Sequence, residues 1–162
     1  MRLHKNEIAQ EKNRLEALLQ LFSKEESPQA RFFASALPYV MSADFATCPE
    51  ANGQLIGIGY VFRNILGIPN LGMAVLSNWQ GKGYGDIIMY DVLAYTYQHR
   101  SCLCSCLWKT NIPIIRLHQK WGWRKVGTGK NNVWYVKCYS VRSWLKCWIV
   151  GKLLSLYDYM RA

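Results

Sequence analysis

Acidic residues are scarce in this chain of 162 residues, where ten Asp and Glu stand against twenty Lys and Arg. The shortage is concentrated. Residues 1–99 carry eight basic and nine acidic side chains, whereas residues 100–162 carry twelve basic ones and a single acid, Asp158. The first part is near −1 and the second near +11, an asymmetry that points to a polyanionic partner or surface. Long hydrophobic runs are missing too, and none reaches the roughly 20 residues of a membrane span. Met1 to Glu7 leads into a charged segment rather than an apolar signal core, so the expectation is a cytoplasmic protein without a secretory signal. Low-complexity tracts and internal repeats are absent, and 51% hydrophobic with 14% aromatic residues excludes a disordered chain.

Two nucleotide fingerprints are also lacking. Glycines fall at Gly81, Gly83 and Gly85 with no Lys-Ser/Thr pair after them, which excludes a P-loop. Their spacing is G-x-G-x-G, not the G-x-G-x-x-G of a dinucleotide fold. Six cysteines are present, and Cys102, Cys104 and Cys106 alternate onto one face of a predicted strand. Without a second ligand pair of zinc spacing, the expectation is small buried side chains in a reducing compartment and no metal.

What is present is organised around Asn70 to Asp86. The apolar run Leu71 to Leu76 suits a buried strand, Ser77-Asn78 a turn, and the segment from Ile87 to Tyr95 a helix. Strand, glycine turn and helix together aim backbone N–H groups and the positive end of a helix dipole at a phosphate.

Gln80-x-x-Gly83-x-Gly85, five residues after Val75, resembles the acyl-CoA-binding motif Q/R-x-x-G-x-G/A of the GCN5-related N-acetyltransferase (GNAT) superfamily. A second stretch, Asn111 to Trp123, resembles that family's downstream signature, an Asn followed by a helix ending in Leu-Tyr-x-x-x-Gly-Phe. The resemblance covers residues 55–140. It implies one α/β domain over residues 1–162, with a central, mostly antiparallel sheet splayed between its fourth and fifth strands and flanked by helices. Residues 141–162 form an extra amphipathic helix. The family begins with a strand, which here is missing or confined to Met1–His4.

The resemblance further implies an acetyl-CoA-dependent N-acyltransferase acting on a primary amine by direct attack on the thioester. Backbone groups of Gln80, Gly81, Lys82, Gly83, Tyr84, Gly85 and Asp86 would hold the pyrophosphate. Met73, Ala74 and Val75 would pair with the pantetheine arm, and a backbone N–H there would polarise the thioester oxygen. Asn111 would touch the cofactor arm, or serve as a helix N-cap, or both. His118 stands where the family places a tyrosine that protonates the departing thiolate. An imidazole can donate a proton, although a helical His with no chemical task is an equal reading. Tyr84, Tyr135 and Tyr139 are substitute acids. Asp44, on a predicted strand over Leu37–Thr47, is the candidate base, while Asp91 reads as surface.

Residues 5–24 read as one amphipathic helix, and Pro28 starts a short second one through Phe33. Asn52-Gly53 marks a hairpin, and further strands are expected at Gln54–Arg63, Cys102–Trp108, Arg124–Gly127 and Asn132–Ser140. The last helix interleaves Trp144, Trp148, Ile149, Leu153, Leu156 and Tyr157 with Arg142, Lys146 and Lys152. It packs on the sheet or on a second subunit of a homodimer, or meets nucleic acid or an anionic membrane. Two alternatives stand beside the amine acyltransferase. One is an enzyme of the same fold that modifies tRNA or DNA, and the other a non-catalytic CoA-binding or interaction module.

Overall fold

The computed structural model describes residues 1–64, 67–99 and 102–160. Strand β1 (Arg2–His4) leads into helices α1 (Lys5–Ile8), α2 (Lys12–Ser23), α3 (Pro28–Phe32) and α4 (Leu37–Met41). Strand β2 (Phe45–Thr47), the small hairpin β3 (Glu50–Ala51) and β4 (Gln54–Leu55), then β5 (Gly57–Arg63) and β6 (Pro69–Val75) follow. Helix α5 (Tyr84–His99), β7 (Cys102–Trp108), α6 (Ile112–Lys120), β8 (Arg124–Thr128), β9 (Asn132–Cys138) and α7 (Val141–Met160) complete the chain. The main sheet has the order β1-β2-β5-β6-β7-β9-β8. All its pairs are antiparallel except β6 and β7, which run parallel and share one register pair, Asn70 with Cys104.

Alternation along the strands sorts the core into layers. Val61 of β5, Leu103 and Leu107 of β7, and Val133 and Tyr135 of β9 face α5 and α6. Ile58 and Tyr60 face the opposite way, toward α2, α4 and their connections. On that same side Cys104, Val126 and Val136 meet α7 at Cys147. Cys102 and Cys104 share one face as expected, and with Cys138 and Cys147 they form one cluster, but Cys102, Cys106 and Cys138 are only half-buried. None of the six forms a disulfide.

Several expectations need correction. Leu37–Thr47 is not a strand but α4 followed by the three-residue β2. Pro38 occupies the first turn of α4, where a missing N–H costs nothing, whereas within a ladder it would remove a bond. The helix expected over residues 5–24 breaks at residues 9–11 into α1 and α2. Asp91 is not at the surface. Its carboxylate is buried, paired with Arg2 at 2.7 Å and accepting from Thr47 Oγ1 at 2.7 Å, so it pins β1 and β2 to α5. The first strand is Arg2–His4, one of the two placements allowed for it. The hairpin at Asn52-Gly53 is present, with positive φ at both residues (53° and 75°), the turn that suits right-twisted strands.

Helix α7 is seated by two small residues. A Cβ on Gly127 would overlap Ser155 Oγ and come within 2.5 Å of the Gly151 carbonyl. Gly127→Val is therefore expected to force α7 off β8 and to cost about 2 kcal/mol, the range for overpacking. Urea unfolding measures it. A cost below a few tenths would mean that α7 is not held at this crossing. The side chains of Arg142 and Tyr157 lie outside the described residues.

Candidate active site

The strand–turn–helix unit forms one wall of a cleft of about 520 Å³. Strand β6 is paired along one edge with β5, from Gly57–Val75 to Arg63–Pro69. Its other edge meets β7 only at Asn70, so the strands diverge beyond that point and Met73, Ala74 and Val75 line the opening. Counted in chain order along the main sheet, β6 and β7 are the fourth and fifth strands, where the splay was expected.

The turn after β6 is built by its own sequence. Gln80 Nε2 donates to the Val75 carbonyl at 2.9 Å, folding the turn back on the strand end. Gly81 and Gly83 adopt φ of +73° and +87°, and a Cβ on either would meet nothing within 4 Å. Conformation, not space, demands glycine at these two positions. The Gly83 carbonyl accepts from Asp86 and Ile87 N–H at 3.0 and 3.2 Å, which starts α5. Among the described residues, the N–H groups of Gly81 to Gly85 donate to no backbone carbonyl. Gly81, Gly83 and Gly85 line the cleft at the positive end of a sixteen-residue helix. Orphan amides at such an end bind anions.

Asp86 is the one titratable side chain in the described lining. Its Oδ1 accepts from Lys120 Nζ at 2.7 Å and Trp121 Nε1 at 2.8 Å. The Lys120 bond above all holds this carboxyl below its ordinary pKa, opposed by burial and assisted by the Trp121 bond. The pair ties the start of α5 to the end of α6 and neutralises a charge that would otherwise repel an anion at the turn. Lys82 lies over the Trp79 ring at 4.7 Å, and Tyr84 packs edge-on against Trp79, so neither side chain lines the cleft.

Helix α6 supplies the facing wall through Asn111, Pro113, Ile114 and Leu117. Asn111 Oδ1 caps the helix by accepting from Ile114 N–H at 3.4 Å and also lines the cleft, so its two readings coexist. His118, one residue on, turns the other way. It is fully buried, with its ring edge-on to Trp123 at 4.7 Å and 6.1 Å from Tyr135. Nδ1 lies 2.9 Å from the Ile114 carbonyl, so that nitrogen carries the proton and the unprotonated Nε2 has no partner among the described residues. Burial pushes its pKa down to about 4, only partly offset by the Ile114 bond. The structure does not bring His118 to the cleft, and a neutral ring with its one N–H bound to a carbonyl is no acid.

Asp44 is also elsewhere. It precedes β2, two strands from β6, with its N–H donating to Val61 and its carboxylate 3.5 Å from Arg63 Nε. Arg63 is at the end of β5 opposite to Gly57, the partner of Val75, which lines the cleft. The three tyrosines considered as substitute acids lie outside the lining as well: Tyr135 OH accepts from Gln119, and Tyr139 OH donates to Leu93 O.

A wall the sequence did not reveal closes the cleft. Ser27, Gln29 and Phe33 line it from the N-terminal helices. Gln29 Nε2 donates to Thr110 Oγ1 at 3.1 Å, bridging that wall to the β7–α6 turn. Glu25 stands behind, accepting from Ser77 N–H at 3.1 Å and from Ser77 Oγ. Pro28 at a first helical position locates α3 but carries no information about which cavity the helix faces.

The sequence matches no protein-family model and no curated protein. The fold does have counterparts among solved structures. An "IAA acetyltransferase" of Bacillus cereus superposes with a TM-score of 0.62 at 16% identity, over 85% of this chain and 97% of that one. An acetyltransferase of the GNAT family from Streptococcus pneumoniae gives 0.61 at 14%, over 86% and 98%. The Campylobacter jejuni N-acetyltransferase PseH, solved with acetyl coenzyme A, gives 0.57 at 16%, over 77% and 90%. The chain has the GNAT fold. Within that fold the splayed strands and the glycine turn occupy one cleft, and α7 lies beyond it on β8 and β9. Among the described residues no helix is long and apolar enough to cross a membrane, and no group of three or more potential ligands could hold a metal ion.

Proposed function

We propose that the protein is an acetyl-CoA-dependent N-acyltransferase acting on a primary amine. The observation that carries this reading is the continuity of two unsatisfied backbone surfaces in one cleft. The orphan amides of Gly81 to Gly85 suit a diphosphate, and the open edge of Met73 to Val75 suits the amides of a pantetheine arm. Acetyl-CoA supplies an activated acyl group as a thioester. The protein's part is to hold and orient it, and a backbone N–H of the open edge is the donor available to a carbonyl oxygen as charge develops there. PseH, a protein of this fold, carries acetyl coenzyme A in its structure.

The acceptor approaches along the uncharged wall of Ser27, Gln29, Phe33 and Thr110, where polar side chains flank one aromatic ring. With His118 and the tyrosines outside the lining and Asp86 committed to Lys120, proton removal from the amine and proton return to the thiolate fall to water in the open cleft. The rate is then expected to rise with pH toward the amine's own pKa, without a plateau set by a histidine. His118→Asn is expected to leave that profile unshifted. A profile that His118→Asn displaces would restore the acid role to this residue.

The test of the activity itself is release of free thiol from acetyl-CoA against a panel of polyamines, amino sugars and peptide N-termini. Turnover with any of them supports the enzyme. Tight cofactor binding without turnover on any amine would favour the non-catalytic CoA-binding module instead.

A further inference from the structure

Helix α7 is apolar on both sides, which is the pattern of a helix buried all round. One side meets the sheet through Cys147, Gly151 and Ser155, all buried. The other carries Val141, Leu145, Trp148, Ile149, Leu153 and Leu156, each between 41% and 84% exposed. Their steps of four, three, one, four and three residues place them in a single stripe along about four turns. Isolated exposed apolar residues need no explanation, but a contiguous stripe marks an interaction surface.

The charge around the stripe selects its partner. Lys146 and Lys152 are exposed on the same helix, and Lys152 lies 5.8 Å from the Trp148 ring. Between α7 and the edge strand β8 runs a groove of about 490 Å³, with Lys125 on the strand bank and Trp148, Lys152 and Leu156 on the helix bank. No acidic residue occurs from residue 100 to residue 157. A second copy docked across a two-fold axis would set these same lysines against one another. Nucleic acid would meet five aliphatic side chains where bases want aromatic or polar contacts. Aliphatic side chains and Trp flanked by lysines, whose stems can follow the apolar surface while their ammonium groups rise to the headgroups, fit the boundary of a lipid bilayer.

We infer that α7, with the edge of β8, is a docking surface for an anionic membrane, the helix lying in the interfacial plane with Lys125 and Lys152 on headgroup phosphates. The surface lies outside the acyl-transfer cleft, so this inference stands or falls independently of that function.

The experiment is flotation of the full chain with extruded vesicles at low salt, using phosphatidylcholine alone or mixed two to one with phosphatidylglycerol. Binding to the anionic vesicles and not to the neutral ones is expected, and raised salt should weaken it. Leu153→Glu is expected to lower the partition coefficient about tenfold or more. Joint Lys125→Gln and Lys152→Gln replacement is expected to lower it about fivefold per lysine. All three residues are exposed, so thermal unfolding of the variants should match the parent. Failure of the parent to float with anionic vesicles would overturn the inference, as would undiminished partition of Leu153→Glu. So would a dimer, dissolved by Leu153→Glu, in a protein that ignores vesicles. RNA affinity that survives Leu153→Glu while vesicle binding is absent would likewise assign the surface to nucleic acid.

Discussion

Replacing Gly83 by aspartate is expected to lower the affinity for acetyl-CoA at least about a hundredfold, or about 2.7 kcal/mol. Two effects add. At φ +87° any side chain costs roughly 1 kcal/mol of backbone strain, which shifts the turn away from the conformation that presents its amides. The new carboxylate then stands among N–H groups proposed to face a diphosphate, competing for them and repelling the ligand. Gly83→Ala separates the two. Because a Cβ at this position meets nothing within 4 Å, alanine brings the strain without the charge, and its loss of affinity should be only a few-fold. Calorimetric titration of the two variants reads the difference. Equal affinities for parent and aspartate variant would place the phosphates elsewhere.

A second large effect is expected from pH. The His118 imidazole is buried with its pKa pushed down to about 4, while in the unfolded chain it titrates near 6.5. Between these values the unfolded chain binds a proton that the folded protein refuses, so stability falls as pH falls. The loss is about 2 kcal/mol by pH 5 and about 3 kcal/mol by pH 4, and above pH 6.5 the contribution is complete. His118→Asn keeps a donor for the Ile114 carbonyl but cannot take up the proton. The variant should be less stable than the parent at pH 7 and lose less on acidification. Urea unfolding at pH 7 and pH 5 measures the contrast. Identical slopes for the two proteins would show that the ring is not buried in its neutral form.

The two predictions draw on residues that the sequence treated very differently. Around Gly83 the order strand, turn, helix is written in residue types with strict requirements: an apolar run, glycines where φ is positive, then helical periodicity. The observed strand Pro69–Val75 and helix start at Tyr84 fall within three residues of that reading. The same holds for Asn52-Gly53, where the backbone conformation itself demands those residues. His118 was legible as a position but not as an orientation. Leu117 and His118 differ by one step of a helix, and packing against Trp123 and Tyr135 decides which of them faces the cleft. Asp91 was misplaced for a related reason: its partners, Arg2 and Thr47, are 89 and 44 residues away, and no local pattern announces them. The Ser27–Gln29 wall depends on a contact with Thr110 across 81 residues and has no local signature either.

The central claim is that the cleft between β6, the glycine turn and α6 binds acetyl-CoA. Thermal unfolding of the parent protein with and without acetyl-CoA tests it most directly. Ligand at a hundred times its dissociation constant adds about 2.7 kcal/mol to the folded state, which for a chain of this size raises the midpoint by roughly 5–10 °C. That rise is expected for the parent and should be lost in Gly83→Asp. An unchanged midpoint at millimolar acetyl-CoA would contradict it.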